Sequence, residues 1–98
     1  MIGRQVTHIL RDSAGNIIAL CNPGQPWSPV PIKKVISEIR LEIQKYYVQD
    51  SLQRVDIVVA LPVSEPFLRT NPVITDVNLL EFLPESTEEI DIRRTKKI

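Results

Sequence analysis

The sequence predicts an α+β fold: a small, mostly antiparallel sheet with one long helix packed on one of its faces. Three observations point there. Two runs of β-forming residues, 6–10 and 17–21, flank a turn-rich stretch. Apolar residues then recur at helical spacing from Ile32 to Tyr47. Beyond them, residues 54–61 read as an apolar strand ended by Pro62. The 98 residues suffice for one domain, and 12 basic residues balance 12 acidic ones. A composition of 43% hydrophobic and 24% charged residues is that of a globular chain. A single cysteine cannot build a disulfide scaffold, and no apolar run approaches the roughly 20 residues of a membrane span.

Asp12-Ser13-Ala14-Gly15-Asn16 joins the first two runs, with Asp at the start and Gly near the end of a type I turn closed by a left-handed residue. The hairpin register expected is Leu10 with Ile18, His8 with Leu20 and Val6 with Asn22. That register puts Val6, His8, Leu10, Ile18 and Leu20 on one face and Thr7, Ile9, Ile17, Ala19 and Cys21 on the other. A bulge at Gly15 would shift it. Asn22-Pro23-Gly24-Gln25 suits a type II turn, in which Gly24 takes the positive φ. Ser28 and Pro29 have the residue types of a helix start, but Pro31 disfavours helical angles at Val30, so the helix is expected to begin near Pro31.

Ile32, Val35, Ile36, Ile39, Ile43, Tyr46 and Tyr47 form one apolar stripe on that helix. Leu41 points away from it, at about 100° per residue. Tyr46-Tyr47-Val48 marks the change to strand, and residues 49–53 read as a turn. In residues 54–61, Val55, Ile57, Val59 and Leu61 face one way and Asp56, Val58 and Ala60 the other, as in an inner strand. Residues 67–70 make a last short strand. One helix covers one sheet face, leaving Ile9, Ile17, Ala19, Val58 and Ala60 to be covered by residues 73–83 or by a second copy of the chain. In that segment Leu80, Phe82 and Leu83 are the expected anchors. The domain is read as residues 1–84. Residues 85–98 form a charged tail, in which Ile90 and Ile92 alternate with charges as in a short edge strand and the composition equally suits disorder.

Several fragments in order, Val6-Thr7-His8-Ile9, Asn22-Pro23-Gly24, Trp27-Ser28, Ile36 with Ile39, Tyr46-Tyr47-Val48, Val55 to Val59, Leu68-Arg69-Thr70-Asn71-Pro72 and Leu80-Glu81-Phe82-Leu83-Pro84, span residues 5–84. Together they resemble the bacterial family called domain of unknown function 3892. The resemblance implies the same fold outline and carries no activity. The chain departs from the family pattern at Pro31, at Asn78-Leu79, at Phe82, and in lacking a glycine between the helix and Tyr46, so the helix is expected to run on.

The chemistry-bearing residues are sparse. Balanced charge lacks the basic surplus of a dedicated nucleic-acid binder. Gly3, Gly15 and Gly24 stand alone, so no loop cradles phosphate. One histidine and one cysteine cannot supply the about four ligands of a zinc site, and no metal or cofactor is expected. His8 and Cys21 fall on opposite faces in the expected register, which separates a nucleophile from its base. Glu38 and Glu42, among Lys34, Arg40 and Lys45, read as a solvated helix face.

Four candidate binding residues remain: Trp27, Arg69, Thr70 and Leu41. Arg69, with Thr70 beside it, has the type to clamp an anion, or to pair with an acid of the same chain. Trp27 is either a hydrophobic staple at the helix start or an exposed anchor. Leu41 is expected in solvent or in an interface. The chain is therefore read as non-enzymatic, a protein-interaction module acting as a homodimer or adaptor. The alternative is a small-anion or nucleic-acid binder using Trp27, Arg69 and the basic residues 93–97. No membrane partner is expected. Met1-Ile2-Gly3-Arg4-Gln5 has no leader character, so the expected location is the cytoplasm.

Overall fold

The computed structural model describes residues 3–51, 53–60, 65–72 and 77–88. Its elements are β1 (Arg4–Gln5), β2 (His8–Arg11), β3 (Ile17–Cys21), β4 (Val30–Pro31), α1 (Ile32–Arg40), β5 (Tyr46–Asp50), β6 (Gln53–Ala60), β7 (Phe67–Thr70) and a 3-10 turn at Leu79–Phe82. The class is α+β, as the sequence predicts, but the strands form two sheets where one was expected. One has the order β1-β5-β6-β7 and the other β2-β3-β4. Among these strands the pairings are antiparallel except that of β1 with β5.

The chain crosses between sheets at Val6-Thr7. The Val6 amide donates to the Tyr47 carbonyl of one sheet at 2.8 Å, and the Thr7 amide to the Cys21 carbonyl of the other at 2.9 Å. The Asn22 side chain ties the same place by donating to the Gln5 carbonyl at 2.9 Å. Helix α1 then packs against β3 and β4 of one sheet and β6 and β7 of the other. A single core therefore draws on both sheets: Val6, Ile9, Leu20, Val30, Val35, Tyr46, Val48, Ile57, Leu68 and Leu80.

The hairpin is present, one residue out of the expected register. His8 pairs with Cys21, Ile9 with Leu20 and Leu10 with Ala19, while Arg11 pairs with Ile17. Ile18 is left over as the bulged residue, and this shift moves Ile9 from the supposedly bare face into the core, where it is fully buried. The connecting turn is as expected. Gly15 has φ 89°, and the Asp12 carboxylate accepts from the amides of Ala14 and Asn16. Those bonds, that of Asn16 first, hold the Asp12 carboxyl below its usual range. Gly24 likewise takes φ 96°, with the Gln25 amide on the Asn22 carbonyl.

Helix α1 begins at Ile32, close to expectation, but ends at Arg40 and does not reach Tyr46. Glu42 takes φ 57°, the conformation that glycine usually supplies after a helix. The Glu42 amide donates to the Ile39 carbonyl at 3.1 Å and the Ile43 amide to the Glu38 carbonyl at 2.9 Å. This pair of bonds is a Schellman closure. The missing glycine therefore does not prolong the helix, and Ile43 leaves the apolar stripe for solvent. Val35 is the buried centre of the stripe, with Ile32, Ile36 and Ile39 half-buried around it. Burying one such side chain is worth about 1.5–3 kcal/mol.

Strand β7 matches expectation, and β6 does so from Arg54 to Ala60, Leu61 lying outside the described residues. Val55 and Ile57 are buried, β6 lies between β5 and β7, and β7 covers residues 67–70 as read. Strand β5 runs on to Asp50, so the turn expected from Gln49 is shorter. In the segment that follows, Leu80 is a buried anchor and Leu83 packs on the core, but Phe82 is 73% exposed. The four-residue 3-10 turn points Leu80 inward and leaves Phe82 out. Val73 and Ile74 lie outside the described residues.

The ordered body does not stop at Pro84. The Ile9 amide donates to the Pro84 carbonyl at 3.0 Å and the Ser86 amide to the Ile9 carbonyl at 2.8 Å, so Glu85 bridges the edge of β2 in parallel. The strand reading of Ile90 and Ile92 and the basic residues 93–97 lie outside the described residues.

Candidate functional site

Leu41 and Ile43 flank the left-handed Glu42 and are 66% and 59% exposed. The exposure of Leu41 is the sequence expectation; that of Ile43 follows from the helix closing early. Beside this loop runs a groove of about 220 Å³, with Ile39, Tyr46, Ile57 and Val58 among its walls and Glu42, Lys45 and Asp56 at its charged positions. Loop and groove share Glu42, so the two exposed aliphatics border an apolar depression with charges of both signs.

A second site is centred on Trp27. Its ring meets Tyr46 edge-on at 6.0 Å between centroids, and the Arg4 guanidinium lies 5.4 Å from the Trp27 ring centre and 5.7 Å from that of Tyr46. Arg4 Nη1 donates to the Tyr46 hydroxyl at 2.9 Å, and the hydroxyl donates to the Glu38 carboxylate at 2.5 Å. The same carboxylate lies 4.0 Å from Arg4 Nη1. Burial, reinforced by the hydrogen bond to Glu38, pushes the Tyr46 hydroxyl up to about 12. Trp27 therefore rests on the core without being fully covered by it. Arg4, Gln5, Asn22, Gln25, Trp27 and Gln44 line an open cleft of about 400 Å³.

Arg69 and Thr70 do not join Trp27. Trp27 sits on Tyr46 of β5, on the core face of the sheet, whereas Arg69 pairs with Val58 on the opposite face of β7, the far edge strand. Arg69 is half-buried and its Nε donates to the Thr70 carbonyl at 3.1 Å. Thr70 is fully buried. Its hydroxyl donates to the Val77 carbonyl at 3.2 Å and accepts from the Leu79 amide at 2.9 Å, while Asn78 Oδ1 accepts from the Thr70 amide at 3.1 Å. Thr70 is thus a clamp between β7 and the 3-10 turn, and Trp27 and Arg69 are not brought together; the basic residues 93–97 expected with them lie outside the described residues.

The corrected hairpin register places His8 directly opposite Cys21, on one face and not on opposite faces. Nδ1 of His8 is bonded to the Thr7 hydroxyl at 2.8 Å, and burial raises the Cys21 thiol to about 11, keeping it protonated. The solvated pair expected of Glu38 and Glu42 is also absent. Glu38 is held by Tyr46, and Glu42 stands beyond the helix.

Ser28 does not cap the helix. It accepts from the Asn22 amide at 2.8 Å and donates to Glu88 at 2.6 Å. Among the described residues no group of three or more His, Cys, Asp or Glu could hold a metal ion, and no helix is long and apolar enough to cross a membrane.

The sequence reading missed Arg4, which no spacing connects with Tyr46, 42 positions away. Comparison with protein-family models, with curated proteins and with solved structures gives no match to this chain.

Proposed function

We propose that this chain is a non-enzymatic protein-interaction module that pairs with a second copy of itself through the loop after α1. The observation that carries this reading is the exposure of Leu41 and Ile43 beside the groove of Ile39, Tyr46, Ile57 and Val58. Each aliphatic side chain gains about 1.5–3 kcal/mol when fully removed from water. Charge supports a second copy as the occupant. A two-fold interface must be complementary to itself, and this groove carries Lys45 together with Glu42 and Asp56. One copy's lysine then meets the other's carboxylates. The resemblance to the domain of unknown function 3892 family belongs to the same proposal and adds no activity to it.

Mixing isotope-labelled with unlabelled protein tests the contact. Filtered NOEs from the methyls of Leu41 and Ile43 to the unlabelled copy are expected. Their absence, with inter-copy NOEs elsewhere or nowhere, overturns the assignment.

A further inference from the structure

The geometry points to a small-molecule site in the cleft beside Trp27, one that takes an organic monocarboxylate. Arg4 supplies the recognition. Its Nη1 is spent on the Tyr46 hydroxyl, and Nε and Nη2 make no hydrogen bond to a described residue. These two nitrogens form the side edge of the guanidinium, the pair of parallel N–H donors that grips a carboxylate bidentately. The Trp27 indole N–H and the side-chain amides of Gln5 and Gln25 are likewise without described partners. None of these atoms is a buried orphan, so all meet the open cleft or solvent.

The inventory selects the ligand. No described acidic residue lines the cleft, and its unspent groups are mostly donors, so an acceptor-rich ligand fits. Among the described residues Arg4 is the only charged one in the lining, and Glu38, 4.0 Å from its Nη1, already answers part of that charge. One partly offset cation suits a single negative charge better than a phosphate dianion. The Trp27 ring then covers an apolar body attached to the carboxylate, and about 400 Å³ lies within the range of small-molecule clefts.

Trp27 is the only tryptophan, so its fluorescence reads the site directly. Titration at constant ionic strength uses benzoate, its neutral isostere benzamide, and inorganic phosphate. Benzoate is expected to give a saturable change with a Kd on the order of 1 mM. Benzamide and phosphate should bind at least about tenfold more weakly. Arg4→Lys keeps the charge and loses the fork, and should weaken benzoate by about tenfold or more.

Glu38→Gln keeps a partner for Tyr46 and removes the competing charge, so it should tighten benzoate several-fold. The exposed Gln25→Ala, which leaves the core untouched, should weaken it if Arg4→Lys proves unfolded by circular dichroism. A linear, unsaturable quench by benzoate overturns the site. So does benzamide binding as well as benzoate, a folded Arg4→Lys protein binding unchanged, or Glu38→Gln weakening the binding.

Discussion

The Thr70 hydroxyl is fully buried and joins two segments by donating to Val77 and accepting from Leu79. Thr70→Val keeps the shape and strips both bonds from the position of the buried hydroxyl. A loss of about 1–3 kcal/mol in urea denaturation is expected. Thr70→Ser keeps both bonds and should lose less. Equal losses would show that packing of the methyl, and not the hydroxyl, holds the turn.

Cys21 acts at the same scale. Its thiol rises from 9.0 to about 11 through burial. Between those values the unfolded chain releases the proton and the folded chain keeps it, so stability falls as pH rises through this window. The urea midpoint should decline from pH 9 to 11, and Cys21→Ala should decline less steeply. Identical slopes would contradict the assignment.

Individual positions were legible in the sequence wherever a local rule decides them. Gly15, Gly24 and the exposed Leu41 follow from turn chemistry and helical phase. Thr70 and Arg4 do not, because their partners arrive through tertiary structure, across 42 positions in the case of Arg4 and Tyr46.

Among the elements, α1 ends where the backbone bonds of Glu42 and Ile43 close it. A left-handed non-glycine residue costs roughly 1–2 kcal/mol, and glycine gives some of this back as unfolded-state entropy. Glu42→Gly should therefore raise the melting temperature modestly, and Glu42→Val should lower it. A destabilised glycine variant would show that the Glu42 side chain contributes more than its backbone costs.

The C-terminal strap makes a comparable statement. Ending the chain after Pro84 removes the Ser86 bond to Ile9 and the Glu88 bond to Ser28, and should lower the urea midpoint. An unchanged midpoint would show that the strap is dispensable. The sequence foretold the existence and type of β6 and β7 because strong β-formers bounded by proline leave few alternatives. It misplaced the helix end because its cue was a glycine that Glu42 replaces, and the hairpin register because one bulged residue, Ile18, exchanges the faces of a whole strand.

At the scale of the whole molecule, the split into two sheets was beyond a reading of segments. It depends on the crossing at Val6-Thr7, where consecutive amides bond to different sheets. The consequence is a core built from both sheets and α1, which takes in Ile9, while Ala19 is buried on the other face of the hairpin. The exposed aliphatics on which the proposed self-association rests are Leu41 and Ile43, in the loop after α1.

Sedimentation equilibrium tests that claim most directly, comparing the natural chain with a Leu41→Asp, Ile43→Asp double variant. The natural chain should sediment at twice its 11.2 kDa mass, with little dependence on salt if apolar contact dominates. The folded double variant should sediment as a monomer. A natural chain that stays monomeric, or a folded double variant that still dimerises, would contradict the account.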